Sequence, residues 1–226
     1  MTPVPSSSCP ICGASDFGPG PKGRSAPGGA MPRCHGCGSL ERHRAFRVVL
    51  NAIAPVFATR PVLQFSADLA APRHEFGSFE VSEFGTDTHL DMADIEKADG
   101  AYGLVIANHV LEHVADDLAA IGELDRITAL GGAVFLSVPD LLRVEKTIEY
   151  GRARDDKHGH YRLYGPDIVE RWREGAPLWH GIGMVAYDPV TGAEDRATLL
   201  SRDPILLADL TRLLQAAAVN PFNAFL

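Results

Sequence analysis

The sequence lacks an apolar run long enough to cross a membrane, since its uninterrupted apolar stretches are far shorter than the roughly 20 residues of a spanning helix. Its first ten residues also lack the basic and apolar segments of a secretory signal peptide. An excess of basic residues is missing as well, because the formal net charge is −8, and this argues against a nucleic-acid partner. We therefore expect a cytoplasmic protein that binds neither membranes nor nucleic acid.

The length and composition are those of a globular protein with one substantial domain and room for a small second module. The chain has 226 residues, 46% of them hydrophobic, and a mean hydropathy of −0.02. Residues 1–60 contain seven Lys or Arg and two Asp or Glu, whereas residues 61–226 contain fourteen and twenty-seven. Two modules of opposite charge could dock on one another, or the basic residues could line a solvated helix face.

Cysteine is absent after residue 37, and the four cysteines form two C-x2-C pairs: Cys9, Cys12, Cys34 and Cys37. Four thiolates in two close pairs are typical of a tetrahedral zinc site. The spacer of residues 13–33 contains ten Gly or Pro, so it cannot form a helix, and a metal is the expected source of its order. We predict a structural zinc ribbon over residues 1–38. A disulfide or a redox motif fits less well in a cytoplasmic, Gly/Pro-rich segment.

The segment after the cysteines, residues 39–60, is predicted to begin as a helix that links the ribbon to the rest of the chain. Ser39 is a suitable N-cap, an apolar stripe follows at helical spacing, and Pro55 comes just after the expected end near Ala54. Its first turns carry four basic residues: Arg42, His43, Arg44 and Arg47. They could face an active site and hold an anion, or they could form an exposed basic face.

Short apolar segments alternate with helical patterns over the remainder, and this alternation predicts an open α/β sheet. The expected strands cover residues 61–66, 79–84, 103–107, 133–138, 178–187 and 197–201. The third of these strands ends in two polar residues, Asn108 and His109, and leads to a helix capped by Asp116. A buried strand that stops at polar residues and passes into a helix marks the edge of a ligand crevice.

Two later regions have less regular patterns. Residues 139–175 are expected to form a substrate lid, with a helix over 140–150 and a polar, His-rich loop after it. An amphipathic helix is predicted from Asp203, and its apolar face and the tail at 221–226 could cover the sheet or pair with a second subunit as a homodimer.

Three segments resemble known methyltransferases. The stretch Asn108-His-Val-Leu-Glu-His113 after a hydrophobic strand, followed by Leu130-Gly-Gly-Ala-Val-Phe-Leu136, resembles class I S-adenosylmethionine (SAM) dependent methyltransferases. The stretch Cys37-Gly-Ser-Leu-Glu-Arg-His-Arg44 is similar to that of a bacterial subgroup with an N-terminal zinc ribbon. The resemblance covers most of the chain. It implies a Rossmann-like methyltransferase sheet over residues 39–226, with seven strands and an antiparallel last pair.

The resemblance also implies a set of cofactor residues. The usual glycines are absent from the first turn, which reads Ser66-Ala67-Asp68-Leu69-Ala70, and no phosphate-binding G-x-G-x-x-G follows, so a nicotinamide or flavin enzyme is not indicated. Asp68 would meet the SAM ammonium, Glu83 the ribose hydroxyls, and Asp91 the adenine amino group. The complete predicted set is Phe65, Ser66, Asp68, Glu83, Asp91, Met92 and Asn108.

Catalytic roles are assigned to His160 and His109, either of which could remove a proton from a hydroxyl or amine acceptor. His160, Arg162, Tyr164 and Gly165 resemble a His-x-Arg-x-Tyr-Gly segment of related methyltransferases, although a loop histidine bonded to backbone is an equal alternative. Glu112 and His113 are expected to fix the turn, and no second metal site is predicted. The favoured function is methylation of oxygen or nitrogen in a small molecule. The alternatives are an RNA methyltransferase that grips RNA with its ribbon, and a non-catalytic binding protein.

Overall fold

The computed structural model describes residues 8–139 and 141–224 as a small ribbon followed by an α/β domain. The ribbon contains the strands β1 (Phe17–Gly18) and β2 (Arg33–Cys34). The elements of the α/β domain follow in this order: α1 (Glu41–Phe57), β3 (Pro61–Phe65), β4 (Ser78–Ser82), β5 (Tyr102–Asn108), α2 (Asp117–Ile127), β6 (Thr128–Ser137), β7 (Ile148–Arg154), β8 (His160–Leu163), α3 (Ile168–Gly175), β9 (His180–Tyr187), β10 (Glu194–Ser201), α4 (Pro204–Ala216) and β11 (Asn220–Asn223).

The main sheet has seven strands in the order β11-β9-β10-β6-β5-β3-β4. Strands β4, β3, β5 and β6 are parallel to one another, whereas β10 is antiparallel to both β6 and β9. Phe65 at the end of β3 lies beside Ser82 of β4 and Ala107 of β5, so these strands end at one edge. The predictions of an α/β sheet, of seven strands and of an antiparallel β9–β10 pair are confirmed.

Helices cover both faces of the sheet. Side chains alternate along a strand, so Leu104 and Ile106 of β5 pack in the cluster that contains α1 and α4, whereas Val105 and Ala107 pack in the cluster that contains α2 and α3. Every residue of β5 is buried, as expected for a central parallel strand. The polar residues at its end therefore emerge between two helical layers.

The seventh strand comes from the C-terminal tail. β11 pairs antiparallel with the edge strand β9, and the Phe222 ring lies where a side chain at Gly183 would be, 2.4 Å from the ideal Cβ position. Within one chain, the tail thus supplies backbone partners to a strand that would otherwise be an open edge. Residues 90–95 contribute only an isolated bridge between Asp91 and Asp94.

The predicted helix over 140–150 is wrong. Residues 148–154 form β7, which pairs antiparallel with β8, with Ile148 opposite Leu163 and Glu149 opposite Arg162. Ile148 and Tyr150 favour a strand, and Gly151 directly after them has a φ of +71°, outside the right-handed helical region. Residue 140 itself lies outside the described residues.

The ribbon is joined to the α/β domain by buried arginine contacts. The Arg44 guanidinium of α1 donates to both carboxylate oxygens of Asp188, at 2.8 and 2.6 Å, and to the carbonyl oxygens of Pro32 and Ser39, at 2.8 and 3.0 Å. Arg24 of the ribbon donates to Glu41 at 2.6 Å. None of the helices in the described part of the chain combines the length and apolar character of a membrane span.

Candidate functional site

Four parallel strands end side by side at one edge of the sheet, and the residues that follow them carry the polar side chains of the candidate site. Ser66 follows β3, Glu83 follows β4, Asn108 ends β5 and Val138 follows β6. The carboxyl ends of parallel strands are where open α/β sheets bind ligands. The sheet therefore brings together residues that the sequence analysis selected separately.

Asp68 and Asn108 form the centre of this edge. The Asn108 side-chain amide donates to Asp68 at 2.9 Å, and its oxygen accepts from the Ser137 hydroxyl at 3.3 Å. The second Asp68 oxygen accepts from the backbone N–H of Ala70 at 2.7 Å. Asn108 is buried, whereas Asp68 is half-buried. These bonds hold a carboxylate in a defined position at the mouth of the crevice.

The glycine-free first turn adopts the conformation that glycine usually provides. Ser66 has a φ of +60°, in the left-handed region, and its N–H donates to the Ser82 carbonyl at 2.8 Å. The next N–H, of Ala67, donates to the Glu83 carboxylate at 2.7 Å. Ser66 and Ala67 are exposed, so the turn presents small side chains and backbone to the crevice.

The remaining predicted cofactor residues lie in different environments. Phe65 and Met92 are buried in the same apolar cluster, on the α2 and α3 face of the sheet. The Asp91 side chain is exposed and accepts a hydrogen bond from the Ala93 N–H at 2.9 Å. Of the two residues predicted to contact adenine, Asp91 therefore has an exposed carboxylate and Met92 has a buried thioether.

His109 follows Asn108 and is held by α1. One Arg42 guanidinium nitrogen lies 2.7 Å from His109 Nδ1. Because an arginine only donates, Nδ1 accepts and the imidazole proton is on Nε2. Burial, with the nearby charges of Arg42 and His160, lowers the pKa of His109 to about 3. His109 is thus a neutral ring, and its buried Nε2 has no hydrogen-bond partner among the described residues.

The basic turns of α1 are not an exposed charged face. Arg44 is fully buried with Asp188, and Arg47 donates to the carbonyl oxygens of Leu69, Ala70 and Ala71 at 2.7 to 3.0 Å. Arg42 alone among these arginines contacts His109. The predicted orientation of this segment toward the site therefore holds for Arg42, whereas the other two arginines fix neighbouring loops.

A cleft of about 570 Å³ opens beside His109. It lies at the ends of β5 and β6 and at the start of β10, and its lining includes Val138, Pro139 and Leu142 with the charged Arg143, Glu194 and Arg196. A larger groove of about 810 Å³ lies between α4 and β11, but none of the predicted site residues lines it. The cleft at His109 is therefore the better candidate for a substrate site.

The β7–β8 hairpin brings His160 to the turn that follows β5. Buried Arg162 donates to the carbonyl oxygens of Val114 and Ala115, at 2.5 and 2.7 Å. The Tyr164 hydroxyl donates to Asp117 at 2.8 Å. As a result, the edge of the His160 ring packs on the His113 ring, with centroids 4.7 Å apart. Arg162 and Tyr164 of the His-x-Arg-x-Tyr pattern thus act as anchors for His160.

Glu112 lies in the turn that follows β5, and the sequence analysis treated it as structural. It is 1% exposed, and neither carboxylate oxygen makes a hydrogen bond of normal geometry within the described residues. Burial raises the pKa of Glu112 to about 8, against smaller opposing effects of its own backbone N–H and of Arg42. Its carboxylate therefore does not fix the turn. Its position directly after Val110 and Leu111, at the end of a buried strand, could have indicated this burial.

The four cysteines converge at the ribbon. The Cys12 and Cys34 sulfurs are 3.5 Å apart, those of Cys9 and Cys37 are 3.8 Å apart, and all four lie within 4.8 Å of one another. Tetrahedral zinc with Zn–S bonds of about 2.3 Å implies sulfur separations of about 3.8 Å, so the residues fit this metal. A Cβ at Gly36 would lie 2.7 Å from the Ala14 Cβ, so the turn requires glycine. Four thiolate ligands would leave no open position for catalysis.

The surroundings of Cys9 favour the thiolate form of its side chain. Burial raises its pKa, but the Ser39 hydroxyl and the backbone N–H groups of Ile11 and Cys12 outweigh this effect and lower the pKa to about 7. Hydrogen bonds to sulfur favour the charged form that a metal binds. All four cysteines are free of disulfides.

Comparisons with known proteins agree with this arrangement. The family model described as "Methyltransferase domain" matches residues 47–176, a range that extends from α1 into α3 and contains every predicted site residue outside the ribbon. No curated protein matches the chain.

Three solved structures illustrate the similarity of fold. A possible histamine N-methyltransferase from Thermotoga maritima is 12% identical, with 70% of this chain and 89% of that chain covered and a TM-score of 0.42. A complex of the Haloferax volcanii Trm112 methyltransferase activator with a putative methyltransferase is 14% identical. It covers 71% of this chain and 90% of that chain, with a TM-score of 0.47. Phosphoethanolamine N-methyltransferase 1 from Haemonchus contortus is 8% identical. The match covers 77% of this chain and 47% of that chain, with a TM-score of 0.48. At these identities and scores, none of their substrates or partners transfers to this chain.

Proposed function

Because this chain belongs to the family of methyltransferase domains, we propose that it transfers a methyl group from SAM to an oxygen or nitrogen of a small-molecule acceptor. The observation that carries this proposal is the edge of the sheet, where Asp68, Glu83 and Asn108 lie at neighbouring strand ends and His109 opens onto a cleft. The polar residues provide a cofactor site, and the cleft provides a place for the acceptor.

The cofactor residues fit the charges and hydroxyls of SAM. Asp68, held by Asn108 and Ala70, offers a carboxylate to the ammonium group. Glu83 offers two carboxylate oxygens to the vicinal ribose hydroxyls. One of these oxygens also accepts a hydrogen bond from the Ala67 N–H, which the cofactor could leave in place or displace. Exposed Asp91 offers an acceptor to the adenine amino group, and Phe65 and Met92 supply the apolar wall behind it.

The proposed methyl transfer depends more on the alignment of the acceptor with the methyl group than on acid–base catalysis. Bound SAM supplies an electrophilic methyl group on a sulfonium, and an in-line displacement moves that methyl group to the acceptor. The acceptor lone pair forms the new bond, the carbon–sulfur electron pair stays on sulfur, and the acceptor loses a proton. His109, a neutral ring that lines the cleft, is suited to orient the acceptor. His160, whose ring lies close enough to affect His109, is the candidate to take the proton.

The structure favours a small acceptor over RNA. A cleft of about 570 Å³ is in the range of small-molecule sites. Arg24 of the ribbon pairs with Glu41, and the adjoining arginines of α1 bind the protein itself, because Arg44 pairs with Asp188 and Arg47 with the loop after β3. We assign the ribbon a structural zinc ion bound by Cys9, Cys12, Cys34 and Cys37, which would order the segment that precedes α1.

Calorimetric titration of SAM and S-adenosylhomocysteine into the zinc-replete full chain tests the proposal. We expect micromolar binding that Glu83→Ala weakens at least about tenfold, since the ribose hydroxyls lose both acceptor oxygens. The matched control is Glu96→Ala, which removes an exposed glutamate and should bind like the wild type. If the well-folded wild type binds neither compound, the chain is a non-catalytic member of the family and the proposal is wrong.

A further inference from the structure

Three potential metal ligands from two separate segments converge, and two of them, His113 and His160, are close enough to His109 for their charges to act on it. One ligand atom each from Glu112, His113 and His160 lies within 4.8 Å of the others. Glu112 and His113 belong to a single 3₁₀ turn that follows β5, whereas His160 begins β8. Glu112 is buried, His160 is half-buried and His113 is exposed, so the cluster has a closed side and a side open to solvent.

The Glu112 carboxylate is the observation that points to a ligand. It is 1% exposed, and neither oxygen has a hydrogen-bond partner within residues 8–139 and 141–224. Burying an ionised carboxylate without a partner is costly, so such a group is normally protonated, paired with a cation or bound to a metal. The nearby Arg42 guanidinium bonds to His109 instead. His113 and His160 each place an imidazole nitrogen near this carboxylate, and a divalent cation bound by all three groups would satisfy it.

The surrounding backbone holds the two histidines in position. His113 makes a hydrogen bond with the Gly159 backbone, and such a bond fixes the ring and leaves the other nitrogen for a ligand. Gly159 has a φ of +82°, a left-handed backbone conformation that favours glycine, and this conformation places its backbone beside the His113 ring. Arg162, bonded to Val114 and Ala115, fixes the start of β8 and with it His160.

We propose that Glu112, His113 and His160 bind a divalent transition-metal ion through one carboxylate and two imidazoles. Two nitrogens and one oxygen suit Mn²⁺, Fe²⁺, Co²⁺ or Zn²⁺, and three protein ligands leave positions open for water or substrate. The site differs in chemistry from the ribbon, where four thiolates complete the coordination. His158 is a neighbour whose ring centroid is 6.2 Å from that of His160, and it lies outside the ligand cluster.

The ion would change how the acceptor is activated, and this consequence rests on the proposed function, whereas metal binding does not. His109 lines the cleft and is close enough to His113 and His160 for their charges to act on it. The three ligands lie outside the lining of the cleft, so an acceptor hydroxyl would have to extend past that lining to bind an open position of the ion. Coordination lowers the pKa of a hydroxyl, so its proton would leave to water and His160 would be a ligand instead of the base. The acceptor class becomes an oxygen nucleophile.

The test is a titration of Mn²⁺ into the full chain that carries one zinc ion. The electron paramagnetic resonance signal of free Mn²⁺ monitors how much of the added ion is bound. Mn²⁺ competes poorly for a thiolate site, so it reports the second site. We expect one saturable Mn²⁺ per chain, with binding weakened at least about tenfold in Glu112→Gln and in His160→Gln. His158→Gln, the matched control, should bind as the wild type does. A second zinc ion in the purified chain that is lost in Glu112→Gln would support the site equally.

The proposal fails if the wild type binds no saturable Mn²⁺ or second zinc, or if Glu112→Gln binds the ion as tightly as the wild type. Thermal unfolding shows whether the variants fold, and Mn²⁺ should raise the melting temperature of the wild type and not that of Glu112→Gln. The calorimetric SAM titration separates the two proposals. SAM binding without metal binding would overturn only the metal site, and metal binding without SAM binding would overturn only the methyltransferase function.

Discussion

Two residues at the edge of the sheet adopt left-handed backbone without being glycine. Ser66 has a φ of +60° and His109 a φ of +52°. This conformation costs a residue with a Cβ roughly 1–2 kcal/mol, and such strain is concentrated at functional sites. Here both residues follow the neighbouring parallel strands β3 and β5, so both strained positions lie at the edge of the sheet that carries the candidate site.

Replacing Asn108 tests the centre of the site. Asn108→Ala removes the donor to Asp68 and the acceptor for the buried Ser137 hydroxyl, so we expect a loss of about 2 kcal/mol in the free energy of unfolding. Urea denaturation measures this change. Asn51→Ala, at an exposed position of α1, should leave stability almost unchanged. Equal effects of the two substitutions would contradict the role given to Asn108.

The charge of Arg42 should be detectable in the titration of His109. Burial is the larger cause of the low pKa of His109, and the Arg42 guanidinium is the next. In Arg42→Gln we therefore expect the pKa of His109 to rise above about 3 while it stays below its ordinary value. Imidazole chemical shifts measured by NMR against pH report this value. Arg154→Gln, at an exposed arginine of β7, is the control, and an unchanged pKa in Arg42→Gln would exclude the contact.

At the scale of elements, α1 organises the site. Its first turns bond to His109, to Asp188 after β9 and to the loop after β3, through Arg42, Arg44 and Arg47. The sequence pattern predicted the helix and the basic residues in its first turns, but it left open whether these residues were exposed. Their separate partners could not be read from the sequence, because the helix position over the sheet decides which strand end each guanidinium reaches.

The buried Arg44–Asp188 pair gives the largest expected effect on stability. Both side chains are 0% exposed, so Asp188→Asn would leave the Arg44 charge buried without its counter-ion. We expect a loss of about 3–5 kcal/mol, measured by denaturant unfolding. Asp209→Asn, which removes an exposed partner of Arg212 in α4, should cost less than about 0.5 kcal/mol. A small effect of Asp188→Asn would show that water reaches Arg44.

Two elements were predicted wrongly or left open for the same physical reason. Residues 148–154 lie in a hairpin because β8 is available to pair with them, and residues 220–223 join the sheet because β9 has a free edge. Strand formation depends on the partner strand, which can be far along the chain. Helices α2 and α4 were easier to predict, because their Asp caps and apolar stripes are local patterns. The predicted bounds of α1 were wrong, because its N-cap is Leu40 instead of Ser39 and the helix continues through Pro55 to Phe57.

At the scale of the whole molecule, the two oppositely charged parts of the chain meet through buried contacts. The pair of Arg44 and Asp188 connects residues 144 positions apart, and it lies beside the ribbon carbonyl of Pro32. Of the two interpretations of the uneven charge, docking of the parts is therefore the one that the structure supports. The ribbon is a supported extension of the domain and not a free arm.

Metal analysis of the purified full chain tests the ribbon. We expect about one zinc ion held by the four cysteines, since their sulfur separations match tetrahedral coordination. Cys34→Ala should release this ion and lower the melting temperature by at least about 5 °C, because the Gly/Pro-rich segment has little other order. His35→Ala, an exposed histidine that pairs with Asp16, should keep the zinc. Zinc-free wild-type protein with an unchanged melting temperature would refute the zinc ribbon.

The sequence by itself determined the features that depend on local spacing and on strand and helix periodicity. These are the two cysteine pairs, the alternation of strands and helices, and the acidic residues at the ends of β3 and β4. Only the tertiary structure decided which distant side chains meet: Asp68 with Asn108, 40 positions apart, Arg42 with His109, 67 apart, and His160 with Glu112. A periodic pattern shows which face of an element is buried, but the packing of the elements decides which polar groups share a site.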